Sequence, residues 1–351
     1  MVDIAGRLIG RNQSPFVIAE ISGNHNQSLD RALEIVDAAA ASGAHAVKIQ
    51  TYTADTMTID FDDGPFLIDD PDSLWSGKTL HNLYKEAHTP WEWHKPIFDR
   101  ARSKGIICFS SAFDKTSVDF LESLDVPCYK IASFENTDLP LIKYVAATRK
   151  PLIISTGMAT MAEIDDAVRT AQGAGCKELL LLQCTSSYPA SPNDSNLLRI
   201  PLLRELFGVE VGLSDHTLGI GVPVASVALG ATVIEKHITL SRKDEGVDSA
   251  FSLEPQEFLE LVNETDRARL ALGSGTYDPR AGVESKSLRF RRSLFVVEDI
   301  EPGEELTATN VRAIRPGTGL PAKYISEFLG MKVTRRIQRG TPLSWKLLRS
   351  I

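Results

Sequence analysis

The chain has 351 residues, 43% of them apolar and 24% charged, a balance that suits a globular protein with a large core. Its formal net charge of -8 gives no electrostatic basis for coating nucleic acid or anionic lipid, so any anion site must rest on a few aimed cations and backbone N–H groups. The first residues lack the apolar core of a signal peptide, and no apolar run approaches the roughly 20 residues that span a bilayer. None of the four cysteines has a metal-ligand spacing. A reduced cytoplasmic protein is expected, with Cys108, Cys128 and Cys184 acting as small core residues.

Eight short runs rich in β-branched residues alternate with helical patterns, which predicts parallel βα units closed into a (β/α)8 TIM barrel. The runs are Phe16–Ile21, Ala46–Thr51, Ile106–Ser110, Cys128–Ala132, Leu152–Ser155, Leu179–Gln183, Val211–Leu213 and Val233–Ile238. They are apolar at nearly every position, as strands buried on both faces are. Between the first two, Ser28 reads as a helix N-cap, Leu29, Ala32, Leu33, Val36 and Ala40 follow at helical spacing, and Gly43 is the stop. Thr89-Pro90-Trp91-Glu92 predicts a capping box with proline at the first helical position. Further helices are expected from Thr160 to Gly175 and from Pro255 to Leu272. The connection over residues 52–88 is long enough to be a lid or a substrate-selecting loop. The domains then read as a catalytic barrel over 1–280, a linker over 281–290 and a small β-rich domain over 291–351, with turns at Glu301-Pro302-Gly303 and Arg315-Pro316-Gly317. At about 60 residues that last domain has a thin core.

Polar residues gather at the C-terminal ends of the proposed strands, where barrel enzymes place their chemistry. In chain order they are Glu20; Lys48 and Gln50; Ser110 and Ser111; Lys130 and Ser133; Ser155 and Thr156; Gln183, Thr185 and Ser186; Ser214, Asp215 and His216; Glu235 and His237. Lys48 and Lys130 sit in otherwise apolar strands, and an inward lysine needs an anionic partner. That partner is either Glu20 or Glu235 in a structural ion pair, or the phosphate and carboxylate of a substrate, with hydroxyls of Ser111, Ser133 and Ser155 filling the remaining acceptors. His216 and His237 on neighbouring strands suit a divalent ion such as Mn²⁺, Zn²⁺ or Fe²⁺, completed by carboxylate and water. Asp215 reads either as an outer partner of that site or as an N-cap. Glu20 is placed to orient water or move a proton, or to pair with a lysine. His25 is open between a site role and none, and His45, His81, His88 and His94 read as surface or helix residues.

At IAEISGNHNQ, AVKIQTY, YKIASFEN, PLIISTGMA, LLQCTSSYP, GLSDHTLG and IEKHITL the chain resembles the sialic acid (nonulosonic acid) synthase family, enzymes that condense phosphoenolpyruvate with an amino sugar. The segment SLFVVEDIEPGEEL with NVRAIRPGTGLP resembles the antifreeze-like SAF domain that caps the barrel in that family. The resemblance implies a divalent metal on His216 and His237, with Mn²⁺ first and Mg²⁺ or Co²⁺ as alternatives. It implies phosphoenolpyruvate held by Lys48, Ser111, Lys130, Ser133, Ser155 and Ser214, with Ser186 nearby, and Glu20 acting near the reacting carbons. Glu135 and Asp248 would contact the sugar, and Arg315 would reach into the partner's barrel in a domain-swapped homodimer.

Within the family, the insert LWSGKTLHNLYKEAHTPWEWH resembles the branch that makes pseudaminic acid rather than the neuraminate or legionaminate branches. Ser111 and Ser186 stand where the neuraminate branch tends to have Thr and Asn. Phe134 replaces a small residue beside the sugar, an apolar wall that suits a 6-deoxy acceptor such as 2,4-diacetamido-2,4,6-trideoxy-altrose. A metal-dependent pyruvate aldolase and a non-catalytic sugar-binding protein are the alternatives from other classes.

Overall fold

The chain opens with two three-residue strands, β1 (Val2–Ile4) and β2 (Arg7–Ile9), paired as an antiparallel hairpin. Its turn, Ala5-Gly6, sits in the left-handed region at both residues, which Gly6 adopts without steric cost. The computed structural model describes residues 1–71, 73–278 and 282–348. Within them lie two compact units, Met1–Gly273 and Ser274–Ile351.

In the first unit eight parallel strands close into a barrel in sequence order: β3 (Phe16–Glu20), β4 (Ala46–Thr51), β5 (Ile107–Ala112), β6 (Tyr129–Ile131), β7 (Leu152–Ser155), β8 (Leu179–Cys184), β9 (Glu210–Asp215) and β10 (Val233–His237). All eight expected runs are strands. Because side chains alternate along a strand, each one feeds two cores. Val17, Ala19, Val47, Ile49, Val211 and Ile234 pack outward beneath the helices. Phe16, Ile18, Phe109, Ile153, Leu182 and Val233 pack with Val2, Ile4 and Ile9, so the opening hairpin is part of the barrel's inner core. Gly212 is small for the same reason: a Cβ there would collide with Val233 and Leu182.

The helices begin as expected at Ser28, whose hydroxyl accepts from the Arg31 N–H, and at Thr160, which forms a capping box with Glu163. The helix Trp91–Ser103 differs. Pro90 is its N-cap, which leaves Glu92 one position short of a box, and Thr89 is buried outside the helix with its hydroxyl 3.5 Å from His25 Nε2. The helix Pro255–Leu272 matches its expected bounds. No described helix is long and apolar enough to cross a membrane.

The second unit holds a 3-10 helix, Val283–Phe290, and the antiparallel pair β11 (Ser293–Val296) and β12 (Val311–Ile314). Leu294, Val296, Ile300, Leu306, Phe328, Val333 and Ile337 form its own small core. Arg315 is exposed at the end of β12. Of the linker expected over 281–290, residue 281 lies outside the described residues, as do 279 and 280.

Candidate active site

The inward alternation that is apolar low in the barrel turns polar toward the C-terminal strand ends. Ile18 gives way to Glu20, Ala46 to Lys48 and Gln50, Phe109 to Ser111, Cys128 to Lys130, Ile153 to Ser155, Leu182 to Cys184, and Val233 to Glu235 and His237. Strand register brings these groups together: Glu20 lies level with both Lys48 and His237, and Ser111 level with Lys130. They open on a cavity of about 410 Å³ lined by Glu20, Lys48, Lys130, Ser133, Ser155, Ser214, His216, Glu235, His237 and Asp248, with Phe134 and Glu135. Ser111 joins through its hydroxyl, 3.1 Å from Lys48 Nζ. Ser186 stands beside Ser133, since a Cβ on Gly157 would collide with both hydroxyls.

The two lysines are held differently. Lys48 lies 3.1 Å from Glu20 and 3.4 Å from Glu235, so both ion pairs considered from sequence are present. Lys130 instead donates to neutral oxygens, Ser155 Oγ at 2.6 Å and the Ile131 carbonyl at 2.9 Å. Burial opposes the charge on both. For Lys48 the two carboxylates outweigh burial and raise its pKa, whereas Lys130 falls below the ordinary lysine range. The carboxylates also part company. Burial raises Glu20 despite the nearby Lys48, while for Glu235 the two lysines and the Ser214 hydroxyl overcome burial and hold it at about 2. The two carboxyls are thus set apart in acidity, Glu20 the weaker acid and Glu235 the stronger.

His216 and His237 face one another with ring centroids 5.3 Å apart, and both pack on Phe251. His216 Nδ1 is engaged by the Thr185 carbonyl at 2.9 Å, which leaves its Nε2 as the lone-pair donor. His237 Nδ1 is buried without a hydrogen-bond partner among the described residues. Burial, then His216, Lys48 and Lys236, keep His237 neutral. Burial also disfavours charge on His216, but Cys184 and the Thr185 carbonyl outweigh it and raise its pKa above the ordinary histidine value. Among the described residues no cluster of three or more His, Cys, Asp or Glu side chains forms a ready-made metal site. The orphaned His237 Nδ1 and the adjacent His216 ring would suit a divalent ion that takes two nitrogens from the protein and its remaining ligands from water and substrate.

Described residues of the 52–88 connection line the cavity and are tied to the barrel by hydrogen bonds. His81 Nε2 lies 2.9 Å from Asp55, Gln27 donates to the Glu86 and His88 carbonyls, and the Trp75 indole N–H donates to the Val247 carbonyl at 3.1 Å. Its Met57, Ile68, Trp75, Leu83 and Tyr84 give one side of the cavity an apolar wall. Phe134, 61% exposed, sits at the rim. Asp248 is buried and accepts from the Ser22 hydroxyl and the Gly23 N–H. His25 is buried away from the cavity lining, edge-on to Trp93.

Several groups at the site escape a reading by strand-end polarity alone. Ser22 holds φ +48°, a strained conformation of the kind that gathers at functional sites. Cys184, expected in the core, lines the cavity instead. Strict period-2 counting forward from Leu182 would have found it. Asp215 is not an N-cap, since the next helix, Gly221–Ala228, begins after Ile220.

Glu135 carries a testable pH signature. Burial lifts its carboxyl from 4.5 to about 7 against the pull of Lys130. A carboxyl raised on folding stabilises the fold below its unfolded pKa, and that contribution is lost as pH climbs through the folded value. Glu135→Gln should therefore leave stability unchanged near pH 4 and raise it by about 3 kcal/mol above pH 7, measured by denaturant unfolding at the two pH values. A variant equally stable to wild type at pH 8 contradicts this.

A model of the NeuB family matches residues 35–277, more than half of the chain. The chain belongs to the NeuB family. A SAF domain model matches residues 291–349. This NeuB-family chain is 43% identical over 334 residues to the pseudaminic acid synthase of Helicobacter pylori, covering 95% of this chain and 97% of that one. It is 44% identical over 331 residues to the pseudaminic acid synthase of Campylobacter jejuni serotype O:23/36, covering 93% and 95%. The crystal structure of the N-acetylneuraminic acid synthetase of Leptospira borgpetersenii in complex with citrate superposes with a TM-score of 0.73 at 32% identity, covering 82% of this chain and 94% of that one.

Proposed function

We propose that this chain is a phosphoenolpyruvate-dependent transferase that condenses phosphoenolpyruvate with 2,4-diacetamido-2,4,6-trideoxy-altrose and releases phosphate, as a synthase of the pseudaminic acid type. The observation that carries the reading is the meeting of two fully buried lysines, four strand-end serines and a histidine pair in one cavity beneath an apolar wall.

Phosphoenolpyruvate has two anionic ends, and Lys48 and Lys130 with the hydroxyls of Ser111, Ser133, Ser155 and Ser214 supply matching donors. Lys130, whose partners are neutral, is the freer cation for an entering anion. Held this way, the enol carbon attacks the open-chain aldehyde carbon of the sugar in a positioned rather than bimolecular encounter. Water then adds to the second carbon of the enol, the C–O bond to phosphate breaks, and phosphate leaves. Glu20, with its raised pKa, is the group suited to move the proton, while Glu235 stays ionised and fixes Lys48. A divalent metal, Mn²⁺ first, would be held by His216 and His237 and when bound would act as a Lewis acid toward the aldehyde oxygen. Glu135, Asp248 and Phe134 would contact the sugar.

The apolar wall from the 52–88 connection supports a 6-deoxy acceptor over N-acetylmannosamine. The family resemblance supports a homodimer in which Arg315 of one protomer completes its partner's sugar site. Four free, buried cysteines suit a reducing compartment such as the cytoplasm. A panel of amino sugars incubated with phosphoenolpyruvate and Mn²⁺, read by product mass, tests substrate choice. N-acetylmannosamine is expected to react about 10²-fold less efficiently than the 6-deoxy diacetamido sugar, because an added hydroxyl meets an apolar wall. A preference for N-acetylmannosamine would place the chain in the neuraminate branch.

A further inference from the structure

The two histidine-bearing strands share a pattern: Asp215 precedes His216 at the end of β9, and Lys236 precedes His237 at the end of β10. The parallel register sets Lys236 level with Asp215. Alternation that sends Glu235 and His237 into the cavity turns Lys236 to the opposite face of the strand, where its side chain is 0% exposed. There the ammonium donates to the Asp215 carboxylate and to the Thr217 carbonyl. Asp215 also accepts from the Thr217 N–H at 3.2 Å and from its hydroxyl at 3.0 Å. Lys236 thus grips both residues that flank His216 while adjoining His237 in the chain. The remaining sides of the His216 turn are tied down by Ala190, whose N–H donates to the His216 carbonyl at 3.0 Å, and by the Thr185 carbonyl on the ring.

A fully buried ion pair is weak ground for stability, since apolar replacements are often equally stable. Its value here is geometric. We propose that Lys236 is a positioning residue: its pair with Asp215 locks the two strand ends together from outside the barrel and sets the spacing at which His216 and His237 hold a divalent ion. The proposal rests on the metal reading above.

The test is Mn²⁺ affinity of the metal-stripped full chain, followed by the electron paramagnetic resonance signal of free Mn²⁺. Removing Lys236 alone would strand a buried carboxylate, so the pair is replaced together as Lys236→Met with Asp215→Asn, where asparagine keeps an oxygen for Thr217. Loss of outer contacts to metal ligands typically weakens binding about 10–100-fold, and that loss is expected here, with kcat recovered at saturating Mn²⁺ and KM for phosphoenolpyruvate unchanged. A purely structural role would lower the melting temperature but leave the affinity of folded protein intact. A folded double variant with wild-type Mn²⁺ affinity overturns the proposal. If the double variant does not fold, the near-isosteric Thr217→Val decides, because it removes one of the ties on Asp215: several-fold weaker Mn²⁺ binding supports the lock, and unchanged binding overturns it. Wild-type protein that takes up no Mn²⁺ overturns the metal reading and this proposal with it.

Discussion

Replacing His216 or His237 by alanine is expected to reduce kcat/KM by well over about 10²-fold, because losing even an outer partner of a metal ligand costs about 10–100-fold and each imidazole would be half of the proposed ligand set. Chelation of wild-type protein should have the same effect, and added Mn²⁺ should restore the chelated protein but neither variant. The fold should persist. Both rings sit at the mouth of the barrel on Phe251 and outside the layer in which Phe16, Ile18, Phe109 and Leu182 pack with the hairpin. Circular dichroism checks the fold, and product formation checks the loss. Full activity of thoroughly metal-stripped protein would contradict a catalytic metal.

The second large effect is a recovery. Lys48→Ala and Arg315→Ala are each expected to be inactive, the first through the loss of a buried cation of the cavity and the second through the loss of a guanidinium whose directional donors suit a sugar amide. In a domain-swapped homodimer, a mixed dimer of the two variants contains one barrel that keeps Lys48 and receives an intact Arg315 from the other protomer. Subunit exchange should then restore activity at one site in each heterodimer. If Arg315 serves its own barrel, each protomer carries its own defect and the mixture stays inactive. No recovery after heterodimers have been demonstrated contradicts action across the interface.

Much of this site is legible in the sequence because a parallel barrel strand is apolar on both faces until it reaches the chemistry. A lysine in VKIQT or YKIAS, or a histidine in IEKHI, therefore stands out from its neighbours. What stays hidden needs register or distant pairing. Lys236 lies between two inward residues, and only the pairing of β9 with β10 reveals Asp215 as its partner. Cys184 looks like the core residue its composition suggests until the alternation through Leu182 turns it inward. The hairpin β1–β2 has three residues per strand, too few for periodicity, and its role appears only when Ile4 and Ile9 meet the barrel interior. The 52–88 connection announces its length but not its contacts, such as the long-range bond from Trp75 to Val247.

The most direct measurement uses phosphoenolpyruvate carrying ¹⁸O in the bridging oxygen, with Mn²⁺ and the 6-deoxy diacetamido sugar. Condensation with water attack at the second carbon predicts a nine-carbon sugar acid free of the label and inorganic phosphate that carries it. Label retained in the sugar acid, or a sugar acid formed equally well from pyruvate with no phosphate released, would contradict the proposed reaction.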